Sequence, residues 1–266
     1  MRARIAFLII DPQIDFCDPA TGALYVPGAE HDMRRLAALI RRLGQDISAI
    51  HVTLDSHHEI HIAHPIFWRD RDGAHPAPFT AITRAEVESG AWMATRADLQ
   101  PHALRYVREL ETNGRYQLTI WPPHCLIGSQ GHAVFPDLFA ALREWEQGFA
   151  CVDYIHKGSN RLTEHYSAVQ ADVPDPADPD TQLNTRLIKA LADADQIVIA
   201  GEARTHCVAS TVRDIVDHLK PADVAKITLL RDAASDIPGF EIHARAFLAD
   251  MTARGARLST TTEFHA

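Results

Sequence analysis

Several residues that could take part in catalysis follow short apolar segments of the chain. They are Asp11, Asp55, Lys157 and Cys207. Cys207 lies at a turn between an apolar segment and a helical pattern, where the free N–H groups and dipole of a helix N-terminus favour a thiolate. Lys157 would lower the pKa of this thiol further, and Asp11 could accept its proton. Because backbone N–H groups of the same turn could bind an oxyanion, these residue types predict nucleophilic acyl transfer.

Each of these residues also has a purely structural interpretation. Cysteine is among the most buried residue types, so Cys207 could be an inert core residue. Asp11 precedes a proline, and Asp-Pro pairs are common in turns. Lys157 could be a solvated surface lysine. Strand-to-helix position alone does not separate the two interpretations.

A histidine-rich segment follows the second apolar run. LDSHHEIHIAH contains Asp55, His57 and His61 in the pattern D-x-H-x3-H, with His58 and His64 as competitors. A carboxylate with two imidazoles suits a borderline divalent cation such as Zn2+, Mn2+ or Fe2+. His124, in WPPHC, begins another loop and could supply the next ligand. Since the chain has 16 histidines, a polar loop without a metal is the alternative interpretation.

Apolar runs alternate with helical patterns along most of the chain. The predicted strands are Ile5–Ile10, Ile47–Leu54, Ala150–Ile155, Gln196–Ala200, Ile227–Leu230 and Ala256–Ser259. The predicted helices are Asp32–Leu43, Gln100–Glu111, Phe135–Gln147, Thr181–Ala192, Cys207–His218 and Phe240–Arg254. Apolar strands joined by helices are typical of a parallel sheet buried on both faces. The sequence therefore predicts an α/β fold, a three-layer αβα sandwich around a mostly parallel, roughly six-stranded doubly wound sheet, with chemistry at the strands' C-terminal ends.

The alternation is interrupted between Pro65 and about Arg115. This segment is rich in Pro, Asp and Arg before a helical pattern begins. A connection of this length is usually functional or an insertion. The chain of 266 residues is therefore expected to form one domain, residues 1–266, with an insertion at about 65–115. The insertion could form a lid or part of an oligomer contact, and it could change the substrate.

Composition and charge narrow the classes of protein. Hydrophobic residues make up 46% of the chain and charged residues 23%, which argues against disorder. The net charge of -9 disfavours nucleic acid as a partner. No apolar stretch approaches the roughly 20 residues of a membrane helix, and Ile5–Ile10 runs into Asp11 without a cleavage site, so no membrane association and a cytoplasmic location are expected. The four cysteines form no CxxC pair and are expected to be free thiols.

Five motifs, taken in order, resemble the nicotinamidase branch of the isochorismatase-like cysteine hydrolases. IIDPQIDF resembles the family's D-x-Q-x-D-F, and WPPHCLIGSQG resembles its W-P-x-H-C-x-x-G-[ST]-x-G signature. HKGSN resembles its K-G motif, GEARTHCV resembles its nucleophile turn G-x-A-T-x-x-C-V, and the aspartate and histidine of DSH resemble its metal ligands. The resemblance extends from Asp11 to at least Cys207, and the motifs are jointly specific because their order is kept.

The resemblance implies a role for each matched residue. The implied triad is Asp11 as catalytic acid/base, Lys157, and Cys207 as nucleophile. The implied binding residues are Phe16 and Trp121 for the substrate ring, and Asp55, His57 and His124 for the metal, with His61 a less secure candidate. The N–H groups of Ala203 and Cys207 would form the oxyanion hole, next to a cis peptide bond between Glu202 and Ala203.

The activity implied by the resemblance is hydrolysis of nicotinamide to nicotinate and ammonia through a cysteine thioester. The implied cofactor is a divalent metal ion, Zn2+ with Fe2+ or Mn2+ as alternatives, and the implied partners are a small-molecule amide and further copies of the chain in a homo-oligomer. The chain departs from the family in two places. Small members of the family lack an insertion of this length, and the nucleophile motif does not require Arg204. Arg204 could contact an anionic substrate group or lie on the surface. Two alternatives follow: a related cysteine amidohydrolase for another amide, an N-carbamoyl or a ureido compound, and a non-catalytic α/β protein that binds a metal or ligand.

Overall fold

In this computed structural model, which describes residues 3–114 and 116–266, strands and helices alternate along the chain. The strands are β1 (Ile5–Ile10), β2 (Ile47–Asp55), β3 (Trp68–Arg69), β4 (Ala81–Ile82), β5 (Met93–Ala94), β6 (Leu118–Thr119), β7 (Asp153–Lys157), β8 (Gln196–Gly201), β9 (Ile227–Leu230) and β10 (Arg257–Ser259). The helices are α1 (Ile14–Cys17), α2 (Ala29–Leu43), α3 (Arg84–Glu88), α4 (Gln100–Asn113), α5 (Pro136–Glu146), α6 (Thr185–Ala192), α7 (Ala209–His218) and α8 (Glu241–Ala253). Within the described ranges no helix is long and apolar enough to cross a membrane.

The central sheet has six strands in the order β10-β9-β8-β1-β2-β7, and every pairing in it is parallel. The two central strands, β1 and β8, are apolar and buried almost throughout, because each has a neighbour on both sides and helices flank the sheet. On the outside of the sheet, α2 packs against α5 and α7 packs against α8. The predicted three-layer αβα sandwich around a parallel, doubly wound sheet is confirmed.

The strand order places a topological switch point between β1 and β8. The chain runs from β1 outward through β2 to β7, and then returns to β8 on the other side of β1. Ligands of doubly wound sheets bind at such a point, because the loops after the two strands diverge there and leave a crevice. Asp11 follows β1 and the turn containing Cys207 follows β8, so the fold alone directs both residues to this crevice.

Three predicted elements begin at least two residues later than the sequence pattern indicated. β7 begins at Asp153 rather than Ala150 and extends to Lys157; as an edge strand it alternates buried and exposed residues, so an apolar run does not mark its bounds. α6 begins at Thr185 because the side chain of Asn184 accepts a hydrogen bond from the Leu187 N–H and caps the helix. Cys207 precedes α7, in a π-helical turn, Arg204–Val208.

The segment predicted as an insertion forms small local structures. β3 pairs with β5 and β4 with β6, both antiparallel, while α3 packs against α4. Its largest buried side chains, Trp68 and Tyr106, belong to the same hydrophobic cluster as the central sheet. The predicted end of the insertion, Arg115, lies outside the described residues. β6 leads directly into the loop that contains Trp121 and His124, so this segment positions residues of the site described next.

Candidate active site

The loop after β1 is hydrogen-bonded to the end of β2 at two points. Asp11 donates its backbone N–H to Thr53 Oγ1 at 3.0 Å, and the Thr53 hydroxyl donates to Asp11 Oδ1 at 2.5 Å. Gln13 Nε2 donates to the Asp55 carbonyl and Gln13 Oε1 accepts from the Asp55 N–H, both at 2.7 Å. The side chains of Asp11 and Asp55 are therefore held next to each other by the backbones that carry them.

A polar side chain of the short helix α1, which follows this loop, fixes the segment after His124. Asp15 Oδ2 accepts a hydrogen bond from the Cys125 N–H at 2.6 Å. The Cys125 carbonyl in turn accepts from the His57 N–H at 3.0 Å. Gln13 and Asp15 were not predicted as site residues, although their alternation with Asp11 in one short motif was a usable signal. They act by positioning Asp55, His57 and His124.

Lys157 is buried and lies at the centre of the site. The register of β7 against β2 pairs Lys157 with Asp55, which carries the ammonium into the crevice. Its Nζ lies 2.8 Å from Asp11 Oδ2, 3.1 Å from Asp55 Oδ1 and 3.6 Å from Cys207 Sγ. It also donates to the His165 carbonyl at 3.0 Å. The alternative interpretation of Lys157 as a solvated surface lysine is wrong.

The thiol of Cys207 is buried within the π-helical turn that follows β8. Burial raises the pKa of this thiol well above its ordinary value; Lys157 works to lower it, while Asp11 and Asp55 raise it further. The sequence-based expectation of a lowered thiol pKa is therefore wrong, because desolvation and two carboxylates outweigh one ammonium. The resting group is a thiol, which needs a base in order to react.

Asp11 has the properties of that base. Burial raises the pKa of its carboxyl group, Asp55 adds to the rise, and Lys157 opposes it. Asp11 also hydrogen-bonds with the Cys207 thiol, which contributes to the raised pKa of the thiol. A carboxylate with a raised pKa accepts a proton more readily than an ordinary one. The arrangement can therefore transfer the thiol proton to Asp11 over one hydrogen bond.

The turn that contains Cys207 is hydrogen-bonded to the end of β1 and to the loop after β9. The Glu202–Ala203 peptide bond is cis, as the resemblance implied. The Glu202 N–H donates to the Ile10 carbonyl and the Arg204 N–H to the Ser235 carbonyl. The guanidinium of Arg204 pairs with Asp236 at 2.7 Å, so its contacts do not support the interpretation that it binds a substrate anion. Ala203 and Cys207 are both buried in this turn.

Asp55, His57 and His124 offer ligand atoms that lie within 4.8 Å of one another. His57 Nε2 lies 3.0 Å and His124 Nε2 3.3 Å from Asp55 Oδ2. The Nδ1 atoms of the two histidines face the carbonyls of Gly158 and Pro122, at 3.1 and 2.9 Å. If each Nδ1 carries the proton and donates it to its carbonyl, each Nε2 presents a lone pair toward the carboxylate, as in metal sites. The donor set fits a divalent cation such as Zn2+.

Two further histidines are packed around this group. His61 has both ring nitrogens engaged, Nε2 with the Thr163 carbonyl and Nδ1 with the Ala63 N–H, so its contacts are those of a structural residue. His64 differs: its Nδ1 faces the Glu59 carbonyl, but its buried Nε2 has no hydrogen-bond partner within the described part of the chain. The rings of His64 and His57 are 5.4 Å apart. His64 is therefore better placed than His61 to face a bound cation or its water.

Aromatic side chains surround the crevice. Phe16 packs against the His124 ring, with centroids 5.4 Å apart, and Trp121 packs against His206 at the same separation. Trp121 Nε1 donates to the Tyr166 hydroxyl at 2.9 Å. His206, which precedes Cys207, also stacks on Tyr116. The predicted ring-binding residues are thus on the two sides of the site, one next to the metal-ligand group and one next to the nucleophile turn.

Comparison with known proteins gives matches only among solved structures. No family model and no curated sequence matches the chain. The structure is similar to the Acinetobacter nicotinamidase/pyrazinamidase (21% identity, 98% of this chain and 97% of that chain, TM-score 0.65) and to the yeast nicotinamidase (18%, 96% and 99%, TM-score 0.67). It is also similar to the Pyrococcus horikoshii pyrazinamidase in complex with zinc (20%, 97% and 99%, TM-score 0.56).

These similarities define the class of the fold. The chain has the α/β fold of the nicotinamidases and pyrazinamidases, over almost its whole length and almost the whole length of each of the three. The predicted nicotinamidase-like fold is confirmed. One fold hosts many activities, so the reaction depends on the residues of the site.

Proposed function

We propose that the protein is a cysteine amidohydrolase that cleaves nicotinamide to nicotinate and ammonia. The observation that carries this proposal is the convergence of a buried thiol, carboxylate and ammonium: Lys157 Nζ lies within 3.6 Å of both Asp11 and Cys207. Each residue comes from a different strand end, and each occupies a matching position in the motifs of the nicotinamidase branch. A packed core has no need for three such groups at one point.

The first half of the reaction forms a thioester. Asp11 accepts the Cys207 proton, and the thiolate attacks the carboxamide carbon. The N–H groups of Ala203 and Cys207 bind the oxyanion of the tetrahedral intermediate. Lys157 keeps the site electropositive, which offsets the cost of holding Asp11 and a developing thiolate together. As the C–N bond breaks, Asp11 returns its proton to the leaving nitrogen and ammonia departs.

The second half hydrolyses the thioester. Asp11, again a carboxylate, takes a proton from a water molecule that attacks the thioester carbonyl. The same two N–H groups bind the second oxyanion. The C–S bond breaks, Cys207 leaves as a thiolate, and the proton held by Asp11 returns to it. The products are the free acid and ammonia, and the three residues end in their starting states.

Asp55, His57 and His124 would hold a divalent cation, with Zn2+ first and Fe2+ or Mn2+ as alternatives. When bound, the cation would orient the pyridine nitrogen, directly or through water. The chain's own aromatic residues would hold the ring, Phe16 near His124 and Trp121 near His206. With its ring held in this way, the substrate would present its amide group to Cys207. The homo-oligomeric state and the cytoplasmic location remain predictions from the resemblance and the sequence.

Ammonia release from nicotinamide tests the proposal directly. Wild type, Cys207→Ala and the control Cys151→Ala, which removes an exposed thiol, are compared as folded, zinc-loaded proteins. We expect release by wild type and by the control, and none by Cys207→Ala. Release by Cys207→Ala at the wild-type rate would show that the thiol is not the nucleophile. That result would favour an α/β protein in which Cys207 is inert.

A second candidate is a cysteine amidohydrolase for a larger amide, an N-carbamoyl or a ureido compound. It is favoured by a cavity of about 670 Å³ lined by Phe79, Tyr116, Phe240 and His243, two of which come from the inserted segment and its flank. Tyr116 stacks on His206, so this cavity adjoins the residue before the nucleophile. If wild type releases no ammonia from nicotinamide but turns over such a compound in a Cys207-dependent way, the second candidate replaces the first.

A further inference from the structure

Glu202, which precedes Ala203 in the nucleophile turn, has no part in the mechanism above and is fully buried. Its Oε2 accepts a hydrogen bond from the Ser235 N–H at 3.0 Å. Among the residues that the structure describes, no donor faces its Oε1. The carboxyl group of Asp32, on the first turn of α2, accepts a hydrogen bond from the hydroxyl of the same Ser235, and, second to burial, it raises the pKa of Glu202 through its charge and as a hydrogen-bonding neighbour. One serine therefore brings two buried carboxyl groups together inside the protein.

Asp32 already receives donors on both of its oxygens. The Ser235 hydroxyl donates to Oδ2 at 2.5 Å, and the guanidinium of Arg35 contacts Oδ1. Asp32 is 2% exposed. These donors are those of an ionised carboxylate, whereas the Oε1 of Glu202 has none. If one of the two groups is protonated, the contacts assign the proton to Glu202.

The charged groups around the pair do not supply a free positive charge that would stabilise Glu202 as a carboxylate. Arg204 works to lower the pKa of Glu202, but its guanidinium is engaged by Asp236 and the Arg231 carbonyl. From α1, Cys17 interacts electrostatically with Glu202 and Asp32, and with Glu30 of α2, and offers no positive charge. Burial, followed by the charge of Asp32, raises the pKa of Glu202 well above its ordinary value. A buried carboxyl group that no cation contacts directly, and that lies beside a second carboxylate, stays neutral.

We propose that Glu202 is a protonated carboxylic acid that donates a hydrogen bond to Asp32 and thereby positions the turn that carries Ala203 and Cys207. Ser235 completes the connection, because its carbonyl accepts the Arg204 N–H at 2.9 Å while its N–H and hydroxyl bind the two carboxyl groups. The helix α2, the loop after β9 and the nucleophile turn are thus joined through one proton. Glu202 is a positioning residue, and the proposed function is needed only for its activity readout.

Infrared difference spectroscopy tests the proton without any substrate. The wild-type spectrum minus that of Glu202→Gln should show a carboxylic acid C=O band at neutral pH. Asp32→Asn should abolish the band although Glu202 is present, because the amide of Asn donates to Glu202 and lets it ionise. Absence of the band in wild type, or its persistence in Asp32→Asn, would overturn the shared proton.

Stability as a function of pH gives a second readout. The raised pKa of Glu202 means that the folded state binds a proton that the unfolded state has released above the ordinary carboxyl range. The free energy of unfolding should therefore fall as pH rises toward the folded-state pKa of Glu202. Glu202→Gln, which keeps a donor toward Asp32 and an acceptor for Ser235, should remove this fall. An identical pH dependence in both proteins would contradict the proposal.

Activity separates positioning from general stabilisation. With nicotinamide, Glu202→Ala should lower kcat on the order of ten- to a hundredfold with little change in KM, since a displaced turn misplaces the nucleophile. Glu202→Gln should stay within about threefold of wild type, a loss no larger than one hydrogen bond. It should also decline less than wild type toward alkaline pH. Equal losses in both variants would show that the acid proton has no role, whereas an inactive wild type would contradict the proposed function and leave the infrared result standing.

Discussion

Two buried pairs of carboxyl groups adjoin the nucleophile turn, Asp11 with Asp55 and Asp32 with the turn's own Glu202, and we propose that they are neutralised in different ways. Asp11 and Asp55 share the ammonium of Lys157, at 2.8 and 3.1 Å. In the second pair Arg35 contacts Asp32, no cation among the described residues contacts Glu202, and in our proposal a proton joins the two carboxyl groups. Burial acts to raise the carboxyl pKa of Asp11, Asp55 and Glu202. Lys157 and His57 reverse this for Asp55, whose pKa falls well below its ordinary value, whereas nothing reverses it for Glu202.

The difference matches what each pair has to do. A fixed ammonium lets Asp11 alternate between carboxylate and acid during a reaction without leaving Asp55 uncompensated. A proton cannot serve there, because the reaction itself moves protons. The Glu202–Asp32 pair takes no part in the chemistry, so a proton is sufficient and makes the contact short-ranged and directional. A contact that depends on a proton weakens at alkaline pH, whereas the Asp11–Asp55 pair, which is compensated by Lys157, does not share this sensitivity.

Removal of the ammonium should have the largest effect. Lys157→Met leaves Asp11 and Asp55 buried without a cation, which should lower the free energy of unfolding by about 3–5 kcal/mol and abolish amide hydrolysis. The control is Lys226→Met, which removes a more exposed lysine paired with Asp223 and should cost less than about 1 kcal/mol. Urea unfolding measures both. Wild-type stability in Lys157→Met would mean that the two carboxylates are not ionised together.

Removal of the base should separate activity from stability. Asp11→Asn should lower kcat by roughly 10²–10⁴-fold, because no group is left to accept the thiol proton. Since Asp55 keeps Lys157 paired, stability should fall far less than in Lys157→Met. The raised pKa of Asp11 sets the sign of the pH dependence: the base must be ionised, so wild-type kcat/KM should decline as pH falls through a value above the ordinary carboxyl range. An acid limb unchanged in Asp11→Asn would assign that limb to another group.

The histidine group sharpens the comparison, because a cation would compensate Asp55 on the side opposite Lys157. Zinc at about a hundred times its Kd should raise the free energy of unfolding of wild type by about 2.7 kcal/mol. His124→Ala should lose this gain and retain less zinc after dialysis, as measured by elemental analysis. His31→Ala, at an exposed histidine, is the control. An unchanged zinc response in His124→Ala would remove His124 from the ligand set.

The sequence pattern was sufficient for the parts of the molecule that depend on local order. Apolar strands identified the parallel sheet, and the polar residue after each strand identified Asp11, Asp55 and Cys207 as neighbours. Asp55 and Lys157 were both placed just after their strands, whereas they are the last residues of β2 and β7, because a polar residue at a strand end does not show whether the strand still includes it. The register of β7 against β2, a long-range property, is what directs the Lys157 ammonium between two carboxylates.

Electrostatic properties could not be predicted from the sequence. The sign of the pKa shift of Cys207 depends on the depth of burial and on Asp55, which lies more than a hundred residues away in the chain. The pairing of Glu202 with Asp32 likewise joins the turn after β8 to α2. No local motif indicates this pairing, because a glutamate before the alanine of the turn is the residue type expected on a surface. The pKa shift of Cys207 and the pairing of Glu202 with Asp32 both depend on long-range packing, which a single sequence does not reveal.

The smallest predicted effects concern two hydroxyl groups, each of which donates a hydrogen bond to one of the carboxyl pairs. Thr53 donates to Asp11 and Ser235 donates to Asp32, both at 2.5 Å. Thr53→Val and Ser235→Ala should each lower the free energy of unfolding by about 1 kcal/mol, as measured by urea unfolding. The cost of Thr53→Val should not change with pH near neutrality, because Lys157 stays charged. The cost of Ser235→Ala should grow toward alkaline pH, because Asp32 depends more on its remaining donors once Glu202 loses its proton. Equal pH dependence of the two variants would mean that both pairs are neutralised in the same way.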